Sequence, residues 1–375
     1  MAQVHGTTTD KFAGLVDVLD RSIESGADVG ASVAVYHHGE LVADLWGGWK
    51  DEARTAPWER DTLVNVWSTT KTMTFLVAYM LADRGELDFN ATVATYWPEF
   101  KANNKEDIEV RHLMNHTAGL SGWQEPLEGR DLADWELATS LLAAQKPWWD
   151  DRTKSGYHAL SQGFLIGEVV RRITGTTIGQ FFKSEVADVL GADFFIGLPA
   201  SEEGRVSLVM PPPPEDFAGY ADDSIRVRTL THQPVDPLMP HERWWRAAEI
   251  PAANGHGNAL SVATIQQVIA NNGHANGHRF FKESTGDQIF QRQVSGVDQV
   301  LGVDLAFGLG YGLASNDVPI GPRSCYWGGY GGSLIMMDQD LNLTIAYVMN
   351  KMRVGLVGDT RGADISLVAA MAALS

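Results

Sequence analysis

The chain has 375 residues, 44% of them hydrophobic and 38 of them glycine, enough to bury a large core in about two domains. A formal net charge of −18 argues against nucleic acid and anionic membrane surfaces as partners, because both need a basic face. The single cysteine, Cys325, excludes an internal disulfide framework and fits a reducing compartment.

Residues 1–10 are polar and lack the apolar core of a signal peptide, and no run approaches 18 continuous apolar residues. A soluble, cytoplasmic protein is the expectation. Apolar residues at helical spacing predict a helix over 12–25. Two β-type runs at 30–36 and 40–46, around His37-His38-Gly39, predict a hairpin. A strand-like run at 63–67 gives way to an apolar helical pattern at 73–81 that stops at Arg84-Gly85. Helices are then expected over 109–115, 132–144, 160–174 and 178–190. Between 199 and 251 prolines accumulate, with a run at 211–214, and the segment reads as a long irregular excursion that lines a site. A helix at 261–271, strands at 333–337 and 343–349, and a closing helix at 364–373 complete the chain.

Strands, a helical middle and strands again predict an α+β fold. One antiparallel sheet flanked by helices is assembled from residues 1–80 and 255–375, and a mainly helical domain, 81–254, is inserted between them.

Chemistry concentrates at Ser68-Thr69-Thr70-Lys71, where the strand-like run meets the helix. Lysine three residues after serine shares its helix face, so the amine can take the hydroxyl proton and make a weak nucleophile reactive. The bland alternative is a helix-capping serine beside a solvated lysine, although a lysine in a first turn opposes the helix dipole. A second element, Ser155-Gly156-Tyr157-His158-Ala159, precedes a helix start and can project the Tyr157 phenol into a cleft. Beside Lys71 that phenol would ionise more readily and relay a proton. His158 competes as a base but lacks an orienting carboxylate in its neighbourhood. A third, Trp327-Gly328-Gly329-Tyr330-Gly331-Gly332-Ser333, lets backbone approach a ligand closely. Its amides, together with that of Ser68, suit an oxyanion hole.

In this order and at these separations, the three elements resemble the β-lactamase-like serine hydrolases: class C β-lactamases, D-Ala-D-Ala carboxypeptidases and family VIII carboxylesterases. Ser68-x-x-Lys71 matches the first motif, Tyr157 the tyrosine of Y-x-N, and Trp327-Gly328-Gly329 stands where many members carry K-T-G. His116-Thr117-Ala118-Gly119-Leu120 adds a supporting match. The resemblance implies a β-lactamase/transpeptidase-like fold, catalysis by Ser68, Lys71 and Tyr157, and an oxyanion hole from the amides of Ser68 and Tyr330. Trp327, Gly328, Gly329 and Trp123 are the expected substrate-binding residues, with Trp148 and Trp149 as further walls. Two departures bear on substrate. An indole, Trp327, replaces the lysine that holds a β-lactam carboxylate, and Ala159 replaces the asparagine that contacts the substrate amide. Each loss removes bonds worth roughly 1.5–3 kcal/mol.

A serine carboxylesterase acting on small uncharged esters is the expected function. An amidase or peptide hydrolase, an acyltransferase, and a silent ligand-binding homologue remain as alternatives. No serine lies in G-x-S-x-G and no histidine in H-E-x-x-H, so neither an α/β-hydrolase nor a zinc hydrolase is expected. No cofactor or metal is expected. The expected partner is a small-molecule ester, with no nucleic acid and no membrane, and a homo-oligomer is left open.

Overall fold

The computed structural model describes residues 3–375 apart from 215–218, 220, 222 and 234. Nine strands form its main sheet: β1 Val4–Thr8, β2 Gly30–His37, β3 Glu40–Gly48, β4 Val294–Val297, β5 Asp304–Phe307, β6 Gly312–Leu313, β7 Ser324–Gly328, β8 Leu334–Asp338 and β9 Leu343–Met349. Their order is β1-β3-β2-β9-β8-β7-β6-β5-β4, with every neighbouring pair antiparallel. The β2–β9 pairing, from Ala31 opposite Met349 to His37 opposite Leu343, joins the two ends of the chain.

Alternation along β2 assigns the two faces. Ser32 and Tyr36 point to helix α5 (residues Ala259–Ala270), where the Ser32 hydroxyl accepts from the Ala259 amide and Tyr36 bonds Thr264 at 2.9 Å. Val33 lies opposite Tyr347, whose hydroxyl reaches Asp28 on the other face. Helices α1 (Gly14–Glu24) and α6 (Thr360–Leu374) cover that face, α1 burying Leu15, Leu19 and Ile23 at a four-residue repeat. The middle of the chain is largely helical. Helix α2 (Lys71–Asp83), buried from Lys71 to Leu81, packs against α3 (Ser161–Thr174) and α5. One hydrophobic core runs through both the sheet and the helices, from Phe12 to Ala369. A smaller cluster gathers Tyr157, Ala159, Val294, Leu305, Phe307 and Trp327 at the site described below.

Several elements escape the sequence pattern. β1 is an edge strand with three of its five residues exposed, so it carries no apolar alternation. β4 to β6 are two to four residues long, and β4 and β6 contain glycine. The excursion expected over 199–251 contains a 3-10 turn at Ala200–Arg205, a strand at Val206–Ser207, helix α4 (Ile225–Thr231) and a helix at Arg243–Ala247. Its residues 215–218, 220, 222 and 234 lie outside the described set. His274 and His278 sit on a two-stranded hairpin. No group of three or more potential metal ligands occurs among the described residues, and no helix among them is long and apolar enough to cross a membrane.

Candidate active site

A short strand, Leu63–Asn65, carries the chain to Ser68, held antiparallel to His256–Gly257 and parallel to Val206–Ser207. Trp67 then turns into the left-handed region at φ +49°, a conformation that costs a bulky residue about 1–3 kcal/mol. Its ring is pinned between Trp245 and Tyr330, with centroids 5.5 and 5.3 Å away. The turn that follows is 3-10 over Trp67–Thr70, and α2 begins only at Lys71. Three residues per turn eclipse i and i+3, which sets Lys71 directly over Ser68.

Lys71 is buried, and its Nζ stands 2.7 Å from the Ala159 carbonyl, 3.0 Å from the Ala252 carbonyl, 3.1 Å from Ser68 Oγ and 2.9 Å from the Tyr157 hydroxyl. Among the described residues no carboxylate pairs with it. Burial holds the amine well below the ordinary lysine range. Carbonyls only accept, so two N–H bonds are committed to Ala159 and Ala252, and in the unprotonated form that burial favours the lone pair faces the two hydroxyls. Ala252 comes this close because Gly163 of α3 has no side chain; a Cβ there would lie 2.4 Å from the Ala252 amide. Ala159, where an asparagine side chain was missing from the motif, contributes its backbone instead.

Tyr157 donates to Ser68 Oγ at 2.5 Å. The expectation of a readily ionised phenol is corrected here: burial pushes the phenol up, outweighing the Ser68 hydrogen bond, and Asp298 adds to the rise. Tyr157 therefore rests protonated. Its backbone is clamped by Asp298, whose Oδ1 accepts from the amides of Tyr157, Val300 and Leu301. Two histidines brace the loop. The His158 amide donates to His116 Nδ1, Leu120 N donates to His158 Nε2, and His158 Nδ1–H donates to the Gly156 carbonyl at 2.6 Å. With both nitrogens occupied and its pKa lowered to about 3 by burial, His158 is a neutral strut and no competing base.

The glycine-rich segment is the β7–β8 hairpin turn. A Cβ on Gly329 would lie 2.3 Å from the Val66 carbonyl and 3.3 Å from the Ser68 amide, so glycine is what lets this turn touch the nucleophile's segment. Ser333, the end of the glycine-rich run and given no role of its own in the sequence reading, locks the two together: its hydroxyl donates to the Val66 carbonyl at 2.8 Å and bonds Thr69 Oγ1 at 2.9 Å. Arg361 of α6 holds the turn from behind through the Gly331 carbonyl at 2.8 Å. Tyr330 sits between these anchors, buried, its ring against Trp67.

The other expected residues fall in different places. Trp327 is completely buried beside Tyr157, with His116, Phe307 and Tyr157 rings 5.9, 5.5 and 5.6 Å away, so it backs the phenol. Its indole N–H favours the phenolate electrostatically without meeting hydrogen-bond geometry. Gly328 packs against the Gly358 backbone. Trp123 is a core side chain, edge-on to Phe164 with its N–H on the Ala138 carbonyl. Trp148 stacks under Arg228, and Trp149 covers Gly156. Asp298, Ser333 and Arg361 left no local signal, because each acts on residues more than 20 positions away.

This geometry can be set beside known proteins. The beta-lactamase family model matches residues 17–369. The chain belongs to the beta-lactamase family. It is 35% identical over 381 residues to the esterase/beta-lactamase LipL of Mycobacterium tuberculosis, covering 95% of this chain and 85% of that one. A crystal structure of a family VIII carboxylesterase superposes with TM-score 0.92 at 36% identity, over 99% of this chain and all of the other. EstA from Arthrobacter nitroguajacolicus Rue61a superposes with TM-score 0.89 at 30% identity, over 99% of both chains. Within the family, the expected sheet-and-helix architecture is the one observed, and the chain is a hydrolase of the beta-lactamase fold.

Proposed function

We propose that this protein is a serine carboxylesterase that cleaves small uncharged esters through an acyl-enzyme at Ser68. One observation carries the reading: Ser68 Oγ, Lys71 Nζ and the Tyr157 hydroxyl form a closed triangle of 3.1, 2.9 and 2.5 Å around a buried amine that has no carboxylate partner among the described residues.

Ser68 Oγ attacks the ester carbonyl while its proton passes to the Lys71 lone pair. The carbonyl oxygen becomes an oxyanion held by the amides of Ser68 and Tyr330. As the tetrahedral intermediate collapses, the carbon–alkoxy bond breaks and the leaving oxygen takes the Tyr157 phenolic proton. The Lys71 ammonium then returns its proton to the phenolate 2.9 Å away. Water repeats the sequence to release the acid. A phenol kept protonated by burial suits this donor role better than it suits a resting base.

The substrate class follows from what surrounds the triangle. An indole, Trp327, fills the position of a carboxylate-binding lysine, and aromatic rings enclose it, so the site offers no cation there for an anionic substrate. The names of the relatives, an esterase/beta-lactamase and a family VIII carboxylesterase, support ester hydrolysis. The cytoplasmic location rests on the single, buried Cys325, and cell fractionation tests it.

p-Nitrophenyl butyrate hydrolysis by wild type, Ser68→Ala and Tyr157→Phe, with nitrocefin run in parallel, tests the function. Rapid ester turnover abolished by Ser68→Ala, strongly reduced by Tyr157→Phe and accompanied by little nitrocefin cleavage is expected. Full activity in Ser68→Ala would overturn the assignment.

A further inference from the structure

The Tyr157 hydroxyl meets Ser68 and Lys71, the two groups with which it exchanges protons, so neither is a fixed anchor during the reaction. What holds the phenol in place must lie further back. The Gly156 amide donates to the His116 carbonyl at 3.0 Å, the Tyr157 amide to Asp298 Oδ1 at 3.1 Å, and the His158 amide to His116 Nδ1 at 3.1 Å. Three successive amides are thus pinned by two buried residues. Just before them, the Ser155 carbonyl accepts from the Gln299 amide at 3.0 Å.

The anchors are themselves held. Asp298 Oδ1 also accepts the amides of Val300 and Leu301, and the Asp298 backbone bonds Val303 and Gly302 at 3.0 and 2.8 Å. The His116 ring meets the Tyr157 ring edge-on with centroids 5.2 Å apart, and Phe307 packs 4.9 Å from it. Stability alone would not select a histidine here. Its backbone is left-handed at φ +64°, and its buried Nε2 has no hydrogen-bond partner among the described residues. An amide only donates, so Nδ1 is the bare nitrogen and the proton sits on Nε2. Burial holds the ring well below the ordinary histidine range, which keeps that acceptor available at neutral pH.

We propose that His116 and Asp298 are positioning residues for proton donation by Tyr157, together holding the phenol at the leaving-group oxygen. The proposal rests on the ester-hydrolase reading and states which esters suffer when the clamp is loosened. Attack on the carbonyl passes the Ser68 proton to Lys71 and does not call on the clamp. Collapse of the tetrahedral intermediate does: the carbon–oxygen bond breaks and the departing oxygen takes the phenolic proton. p-Nitrophenolate leaves readily as the anion, whereas ethoxide needs the proton. In deacylation the departing oxygen is Ser68 Oγ, which needs it as well.

Measurement of kcat/KM, which reports acylation alone, on ethyl butyrate and p-nitrophenyl butyrate with the full chain tests this. Asp298→Ala is expected to lower the ethyl-to-p-nitrophenyl ratio by about tenfold, part of the worth of a general acid. With p-nitrophenyl butyrate it should also show a burst of p-nitrophenolate before slow turnover, because the acyl-enzyme accumulates. His116→Phe keeps a ring and loses the Nδ1 acceptor; it should move the ratio the same way, and it carries the test if Asp298→Ala does not fold. Asp298→Asn retains an oxygen for the three amides, and its ratio should stay within about threefold of wild type. An equal loss on both esters, or an unchanged ratio in Asp298→Ala and His116→Phe, would overturn the proposal. The ester-hydrolase reading fails separately, through a wild type inert on both esters or full turnover in Ser68→Ala.

Discussion

Two of the long cationic side chains buried in this molecule, Arg361 and Lys71, behave in opposite ways. Arg361 meets Asp28 at 2.6 Å and Asp359 at 2.5 Å, with further bonds to the carbonyls of Ala27, Gly331 and Lys351. Burial alone would lower its pKa, but Tyr347, Asp359 and Asp28 outweigh it and push the guanidinium up. Lys71, equally buried, meets only carbonyls and hydroxyls, and burial pushes it down. A carboxylate partner decides the outcome. With one, a buried cation is held as a structural charge; without one, burial lowers the amine's pKa and makes the unprotonated, basic form more accessible. The two are also connected, because Arg361 grips the turn that faces Ser68.

The contrast can be broken at either end. Lys71→Met should lower kcat/KM for p-nitrophenyl butyrate by about 10²–10⁴-fold, the typical worth of a general base. Thermal melting of the same variant should show no loss of stability, since a poorly solvated amine is replaced by an apolar chain of similar length. In wild type, acid should inactivate as the pH falls through the lowered Lys71 pKa and the amine takes up a proton, with the acid limb of the kcat/KM profile as the readout. Arg361→Met should do the reverse, costing about 3–5 kcal/mol in urea unfolding because Asp28 and Asp359 are left buried without a cation. A stable Arg361→Met variant would mean that these ion pairs contribute little to the fold.

The smallest effect sharpens the connection between the two. Ser333→Ala removes the hydroxyl bonds to Val66 and Thr69 that fix the β7–β8 turn to the Ser68 segment. We expect about a tenfold loss of kcat with little change in KM, in line with two modest hydrogen bonds. Affinity for a boronic acid that forms a tetrahedral adduct should fall in parallel. An unchanged boronic acid affinity would place Ser333 in a structural role only.

The fold was legible where patterns are local. The β2–β3 hairpin, the helix at 161–174 and the β9 strand carry strong apolar periodicity or continuous burial, and their predicted positions agree closely with the observed ones. β1 and β4–β6 were not legible, because short, exposed or glycine-broken strands owe their structure to the neighbours they pair with. Tryptophans misled for a related reason. An indole at a loop looks like a pocket wall, yet Trp123 satisfies its N–H on a backbone carbonyl inside the core.

By itself the sequence determined the relation of Ser68 to Lys71, since a spacing of three residues places them together in any helical turn, and it determined where glycine would allow a close backbone approach. Charge states were decided by the tertiary structure alone. Lys71 takes its environment from Tyr157, Ala159 and Ala252, which lie 86, 88 and 181 residues away. Tyr157 takes its own from burial and from Asp298, 141 residues on. Desolvation and partner distance set a pKa, and both are properties of the packed chain.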